Sequence, residues 1–231
     1  MDKAYSIVVI IPAYNEENSI AKVINDIPKA LEATVIVVDN NSSDNTASRA
    51  EAAGAHVLYE PIAGYGRACL KGISYLEFLH PLPEIVVFLD GDYSDYPSEM
   101  PKLVEPISGG EADMVIGSRA LGKREKGSMT FPQKAGNVLA TRLLKLFYGV
   151  HYTDLGPFRA IRYSSLLALN MQDKTYGWTV EMQLKAAKQK MKIREVPVNY
   201  KKRIGFSKIS GTVKGTILAG YKIITTIFKY R

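Results

Sequence analysis

The chain has 231 residues, 30 Lys/Arg against 23 Asp/Glu for a formal charge of +7, 46% hydrophobic residues and a single cysteine, Cys69. That length suits one large domain, or one domain with an appended segment, with ample material for a core. One cysteine excludes an intrachain disulfide and fits a reducing, cytoplasmic setting, and no run approaches the roughly 18 uninterrupted apolar residues of a spanning helix.

The N-terminal stretch MDKAYSIVVIIPAYNEE lacks the basic region and small-residue cleavage site of a signal peptide, and reads as a first strand. Over the first 120 residues, β-rich runs alternate with helical stretches. The runs are YSIVVIIPAY, TVIVVDN, HVLYE, EIVVFLD and DMVIGSR, and the helices are expected over Glu17–Leu31, Asp44–Ala53, Gly66–Leu79 and Ser98–Ser108. Several runs are apolar at consecutive positions, as in strands covered on both faces, so the pattern predicts βαβ units and a mostly parallel α/β sheet. SSDNT supplies capping residues for one helix, and Pro97-Ser98-Glu99 opens another.

After Arg119, LGKREKGS reads as a mobile loop. A helix over Phe131–Phe147, an irregular segment TDLGPFRAI, a helix over Trp178–Lys190 and a strand KIREVPVNY follow. Residues 191–231 carry ten Lys/Arg and one acid, Glu195, for +9, which leaves 20 basic and 22 acidic residues in the near-neutral remainder. The division expected is a catalytic domain over 1–205 and a basic amphipathic segment over 206–231. In that segment Ile209, Val213, Ile217, Tyr221, Ile224 and Phe228 recur at steps of three or four, with Lys208, Lys214, Lys222 and Lys229 among them. The pattern suits a helix lying on an anionic membrane surface, or one packed on the domain with its lysines outward. No recognised module accompanies the charge, so nucleic acid is not an expected partner.

Ligands of open α/β sheets bind outside the carboxyl ends of the strands. Three polar clusters fall there: Pro12–Glu17, Asp39-Asn40-Asn41 and Asp90–Asp95. In Asp90-Gly91-Asp92, two carboxylates at alternate positions reach a common point, and their hard oxygens suit Mg²⁺ or Mn²⁺ shared with substrate phosphates. His56, His80 and His151 lack ligand spacing, which argues against zinc. GYGRACLKG begins like a dinucleotide fingerprint but has Cys69 where a third glycine belongs, and no G-x-x-x-x-G-K-[ST] occurs. Gly64 and Gly66 instead read as a turn into a helix beside the base-binding end.

In order, IPAYNEE, VVDNNSSDNT, LDGDYSDYP, VIGSR, TDLGPFRAI and VPVNYKKRIGFSKISG resemble the motifs of the family 2 glycosyltransferases, and among them the dolichyl- and polyprenyl-phosphate mannose and glucose synthases. The resemblance runs over nearly the whole chain. It implies a GT-A (Rossmann-like) fold and a metal-dependent, inverting transfer of a hexose from a UDP- or GDP-linked donor to a polyprenyl phosphate. It places Pro12, Tyr14 and Glu16 at the nucleoside, Asp39 at the base, and Asp90, Gly91 and Asp92 at the pyrophosphate and metal. Arg119 then faces the acceptor phosphate, and Arg203, Ser207 and Lys208, in the run RIGFSK, fall near the donor pyrophosphate.

Three positions depart from the family pattern. The second motif's paired aspartates are Asp39-Asn40, Ser94 stands where the lipid-phosphate transferases often carry Gln, and the D-x-x-S-G-F-R motif reads Asp154-Leu155-Gly156-Pro157-Phe158-Arg159. An ionised phosphate acceptor needs positioning by Arg119 and Lys134 rather than a strong base. A hydroxyl acceptor, on a glycan or small molecule, needs a general base. Candidates are Asp154 (or an anchor to Arg159), Glu181 (or a solvated helix residue) and Asp95, which is first a helix cap near Pro97. A non-catalytic nucleotide-binding protein is the remaining alternative. The expected location is the cytoplasmic face of a membrane, with homo-oligomerisation left open.

Overall fold

The computed structural model describes residues 6–205 and 213–230. Seven strands form one sheet: β1 (Ile7–Ala13), β2 (Thr34–Asp39), β3 (His56–Tyr59), β4 (Ile85–Phe88), β5 (Met114–Ser118), β6 (Arg159–Arg162) and β7 (Ile193–Pro197), in the order β3-β2-β1-β4-β6-β5-β7. All pair parallel except β6, which runs antiparallel between β4 and β5.

The unbroken apolar runs have the reason expected of them. Val8, Ile10, Ile36, Val38, Val86 and Phe88 pack on one face with Cys69, Leu144 and Trp178. Their neighbours Val9, Ile11, Val37 and Val87 pack on the other with Ile20, Val23, Leu103 and Ile107. With both faces covered, side-chain alternation has no polar side to point at.

The helices are α1 (Ile20–Asn25), α2 (Thr46–Ala52), α3 (Tyr65–Tyr75), α4 (Pro101–Ser108), α5 (Phe131–Tyr148), α6 (Tyr163–Leu169), α7 (Trp178–Lys188) and α8 (Val213–Lys229). α1 is much shorter than the expected Glu17–Leu31, because the segment around Pro28 breaks it and only a 3₁₀ turn, Lys29–Leu31, follows. α6, and β6 within TDLGPFRAI, were not legible: RAIR carries no β-rich pattern and becomes a strand through neighbours on both sides. The 120–128 loop is pinned rather than loose. Tyr200 N–H donates to the Lys123 carbonyl (2.9 Å), Glu125 N–H donates to the Tyr200 carbonyl (2.8 Å), and Lys202 N–H donates to the Glu125 carboxylate (2.8 Å).

α8 packs against α5 and α7. Ile227 is buried and the Phe147 and Phe228 rings lie 5.2 Å apart, while Leu218 and Tyr221 face outward. No helix among the described residues is long and apolar enough to cross a membrane.

Candidate active site

Because β2, β1 and β4 lie side by side, their carboxyl ends bring the three polar clusters onto one rim. A cavity of about 250 Å³ opens there, and Pro12, Tyr14, Glu16, Asp90, Gly91, Asp92 and Arg203 all line it. Asp39, last in β2, is buried with its Oδ1 unpartnered, and it lies behind rather than in the cavity lining. Ser207 and Lys208 lie outside the described residues.

Asp92 is held from two sides. Its Oδ1 accepts the Ser94 N–H (2.9 Å) and hydroxyl, while its Oδ2 meets Arg203 Nη2 at 2.9 Å. Tyr93, between them, takes a left-handed φ of 61°, which turns the chain back on the aspartate. Asp90 Oδ1 accepts the Tyr65 hydroxyl (3.0 Å). Burial first, and then the neighbouring Asp92 carboxylate, push Asp90 up to about 7, against the opposing pull of Tyr65, Arg203 and Arg119. The pair therefore offers hard oxygens, at the edge of a cavity, in a place where negative charge is in excess. Those features fit a divalent cation that completes its shell with phosphate and water. No group of three His, Cys, Asp or Glu that could hold a metal alone occurs among the described residues. Gly91 is less demanding than expected: an added Cβ would meet Ile20, Ala13 and Ile11 at 3.5–3.6 Å, ordinary contact.

The 198–204 segment carries Arg203 into the cavity by running beside the aspartate loop. Lys201 N–H donates to the Ser94 carbonyl (2.9 Å) and Ile204 N–H to the Asp92 carbonyl (3.0 Å). Arg203 Nη2 then reaches Glu16 Oε1 (3.3 Å) as well as Asp92, so one cation links the first and third clusters.

Asn40 lines the cavity, and its amide holds the loop beside it. Its amide donates to the carbonyls of Glu60 (3.0 Å) and Ile62 (2.8 Å), and its Oδ1 accepts Gly64 N–H (2.7 Å). This fixes the turn into α3, where Ala63, Gly64 and Tyr65 line the cavity. A second aspartate could not donate to those carbonyls. Tyr65 and Tyr176, both on the cavity wall, escaped the sequence reading. The GYG motif signals a turn, but which tyrosine faces the ligand depends on the long-range packing of the 172–177 loop.

On the far side of Asp92, Asp154 accepts Arg119 N–H (2.8 Å), Nε–H (2.7 Å) and Nη2–H (2.8 Å). The expected anchor to Arg159 is thus replaced by Arg119. Burial works against the Arg119 charge, but the Asp154 carboxylate more than offsets this and raises its pKa. With three N–H groups on it, Asp154 is an anchored counter-ion rather than an open base. Arg159 instead donates to the backbone carbonyls of Gly156 and Thr179 (3.1 and 3.0 Å), and burial lowers it to about 10.

Glu181 is fully buried and outside the cavity lining, neither a solvated residue nor placed as a base. Its carboxylate accepts the N–H groups of Gln172 and Asp173 and the Tyr230 hydroxyl, and pairs with Lys185. Lys134 stands in an apolar groove on α5, apart from the cavity at the strand ends. Asp95 is no helix cap, since Tyr96 precedes the 3₁₀ turn and no side chain caps it. It is 2% exposed, and neither carboxylate oxygen has a hydrogen-bond partner. Burial, and then the Asp90 charge, push its pKa well up.

The sheet is Rossmann-like, and the cavity at its strand ends combines paired carboxylates with an arginine, the arrangement expected of a GT-A glycosyltransferase. The sequence pattern described as "Glycosyl transferase family 2" matches residues 8–169. An uncharacterised glycosyltransferase of Mycobacterium tuberculosis is 35% identical over 217 residues, covering 93% of this chain and 94% of its own. An undecaprenyl-phosphate mannosyltransferase of Micrococcus luteus is 30% identical over 221 residues, covering 90% and 89%. The crystal structure of glucosyl-3-phosphoglycerate synthase from M. tuberculosis, in complex with Mn²⁺, UDP and phosphoglyceric acid, superposes with a TM-score of 0.76 at 23% identity, covering 98% of this chain and 78% of that one. The chain belongs to glycosyltransferase family 2.

Proposed function

We propose that this glycosyltransferase moves a hexose from a UDP- or GDP-linked donor to a polyprenyl phosphate, with Mg²⁺ or Mn²⁺, at a membrane surface. The observation that carries the acceptor is α5. It clamps the acceptor-side loop, with Asn137 donating to the Thr153 carbonyl (3.1 Å) and accepting from Leu155 N–H (2.9 Å). Its outward face leaves Phe131 82% and Leu146 73% exposed, beside Lys134, Arg142 and Lys145 and without one acid. An apolar chain with an anionic head matches such a face, and so does an anionic bilayer. The basic 206–231 segment would add to the same attachment, beside a catalytic domain over 1–205. The mannosyltransferase relative, whose name specifies undecaprenyl phosphate, supports the same acceptor class.

Asp90 and Asp92 would hold the cation, whose chemistry when bound is to neutralise charge on the departing pyrophosphate. Tyr65 and Ser94 fix the two carboxylates, and Arg203 adds a positive charge at the same place. Asp39 and the Tyr14 wall orient the nucleoside. Asp154 locks Arg119 by its Nε and Nη2, which leaves Nη1 to steer an acceptor phosphate. The acceptor oxygen bonds to the anomeric carbon as the nucleoside diphosphate leaves, with inversion, since nothing in the motifs supplies a nucleophile for a covalent intermediate.

Asp95 favours a second reading, transfer to a hydroxyl. Its carboxylate is unpartnered and three residues beyond Asp92; it lies outside the cavity lining, so it would have to be uncovered to act as a base. Incubation with radiolabelled UDP-glucose and GDP-mannose, with membranes and with soluble acceptors, separates the two. Label in an acid-labile lipid fraction is the expected result, and label only in soluble glycosides would replace the lipid acceptor with a hydroxyl.

A further inference from the structure

We propose that Lys222 and Tyr230, at the C-terminal helix, are positioning residues for the donor cavity, acting through the 172–177 loop. The inference rests on the cavity being the nucleotide-sugar site.

The connection is continuous. Lys222 Nζ pairs with Asp173 Oδ2 at 3.0 Å, and Tyr230 donates its hydroxyl to Glu181 Oε1 at 2.7 Å. Both carboxylates hold the loop. Asp173 Oδ1 accepts Thr175 N–H (2.8 Å) and Gly177 N–H (3.2 Å), while Glu181 accepts the N–H groups of Gln172 (3.0 Å) and Asp173 (2.6 Å). Gly177 is wedged between Asp173 and Thr226 of α8: a Cβ there would stand 2.5 Å from Asp173 Oδ2 and 2.6 Å from Thr226 Oγ1.

The loop in turn shapes the site. Its Thr175 and Lys174 carbonyls accept Gly66 N–H (3.2 Å) and Arg67 N–H (3.1 Å), at the start of α3, whose N-cap Gly64 offers no side chain. The approach is so close that a Cβ on Gly66 would strike the Asp173 carbonyl. Tyr65, between these anchored residues, carries the hydroxyl that holds Asp90, and Tyr176 on the loop forms the opposite wall. A path of direct contacts thus runs from α8 to an aspartate of the D-x-D motif.

Two consequences follow from this geometry. Loosening α8 weakens donor binding without touching the donor, and by linkage the bound donor tightens α8. Glu181, which the sequence pattern marks as a candidate base, is the junction of this path.

The test uses the full chain as wild type, Lys222→Ala, Tyr230→Phe and Lys222→Arg, with UDP and GDP each titrated calorimetrically in the presence of Mn²⁺. For the nucleotide that the wild type binds, Kd should rise about five- to tenfold in Lys222→Ala and Tyr230→Phe, the effect of one lost hydrogen bond or ion pair. Tm should stay within about 4 °C, and Lys222→Arg should restore most of the affinity. Hydrogen exchange without nucleotide should quicken at amides 64–67 and 173–177 in the first two variants. Folded variants with unchanged Kd and unchanged exchange would overturn the inference. If Lys222→Ala does not fold, Tyr230→Phe, which removes one hydroxyl, decides it. A wild type that binds neither nucleotide overturns the donor-site reading itself, and the exchange data then decide whether α8 holds the loop.

Discussion

Asp95 has no partner for either carboxylate oxygen, although it sits deep between the D-x-D motif and Arg119. Its pKa is raised, so the folded protein keeps that proton to a higher pH than the unfolded chain does. Stability from this group is full below the unfolded carboxyl pKa of about 3.9 and is lost as pH rises toward the raised value. Asp95→Asn lacks that loss. Its Tm should exceed the wild-type Tm at pH 8, and the gap should close as pH falls toward 4. Arg119 is the opposite case, a largely buried ion paired with Asp154 through its Nε and Nη2. Arg119→Ala leaves a buried carboxylate alone, and urea unfolding should show a loss of about 3–5 kcal/mol. Residue types and their spacing revealed both groups in the sequence, but their partners were not legible. Asp95 looked like a cap and Asp154 like the mate of Arg159, because a single chain does not say which cation a turn will face.

At the scale of elements, α5 joins two tasks on one helix. Its inner side fixes the 153–155 loop through Asn137, and its outer side presents Phe131 and Leu146 to solvent. Each exposed apolar side chain gains roughly 1.5–3 kcal/mol when buried in an apolar phase. Phe131→Ser with Leu146→Ser should therefore cut cosedimentation with anionic vesicles at least about tenfold. Tm should hold, since neither residue is in the core. The tail's periodicity pointed to membrane contact through residues 206–231, and α5 adds an exposed apolar face of its own, with Phe131 and Leu146. α8 spends part of its apolar stripe on the domain, through Ile227 and Phe228 against α5 and the core. Periodicity shows that a helix has an apolar face, and only packing shows what that face meets.

For the whole molecule, the formal charge is uneven: residues 191–231 carry +9 and the remainder is near neutral, with carboxylates gathered at one rim of the sheet. Chelation with EDTA should abolish release of nucleoside diphosphate, and Mn²⁺ or Mg²⁺ should restore it, as read by coupled nucleotide release. Persistent turnover in EDTA would remove the cation from Asp90 and Asp92.

The mostly parallel sheet and the glycosyltransferase class were legible in the sequence, the first from its apolar runs and the second from the order of its motifs. Short, β-rich apolar runs alternating with helical stretches suit strands buried on both faces, and polar residues that end parallel strands emerge at one edge. The tertiary structure alone decided the rest. β6 is a strand because β4 and β5 pair with it, Asn40 is a loop clamp because Gly64 and two carbonyls surround it, and Glu181 is a junction because α8 returns to it. Each of these depends on contacts between segments far apart in the chain, which local pattern does not encode.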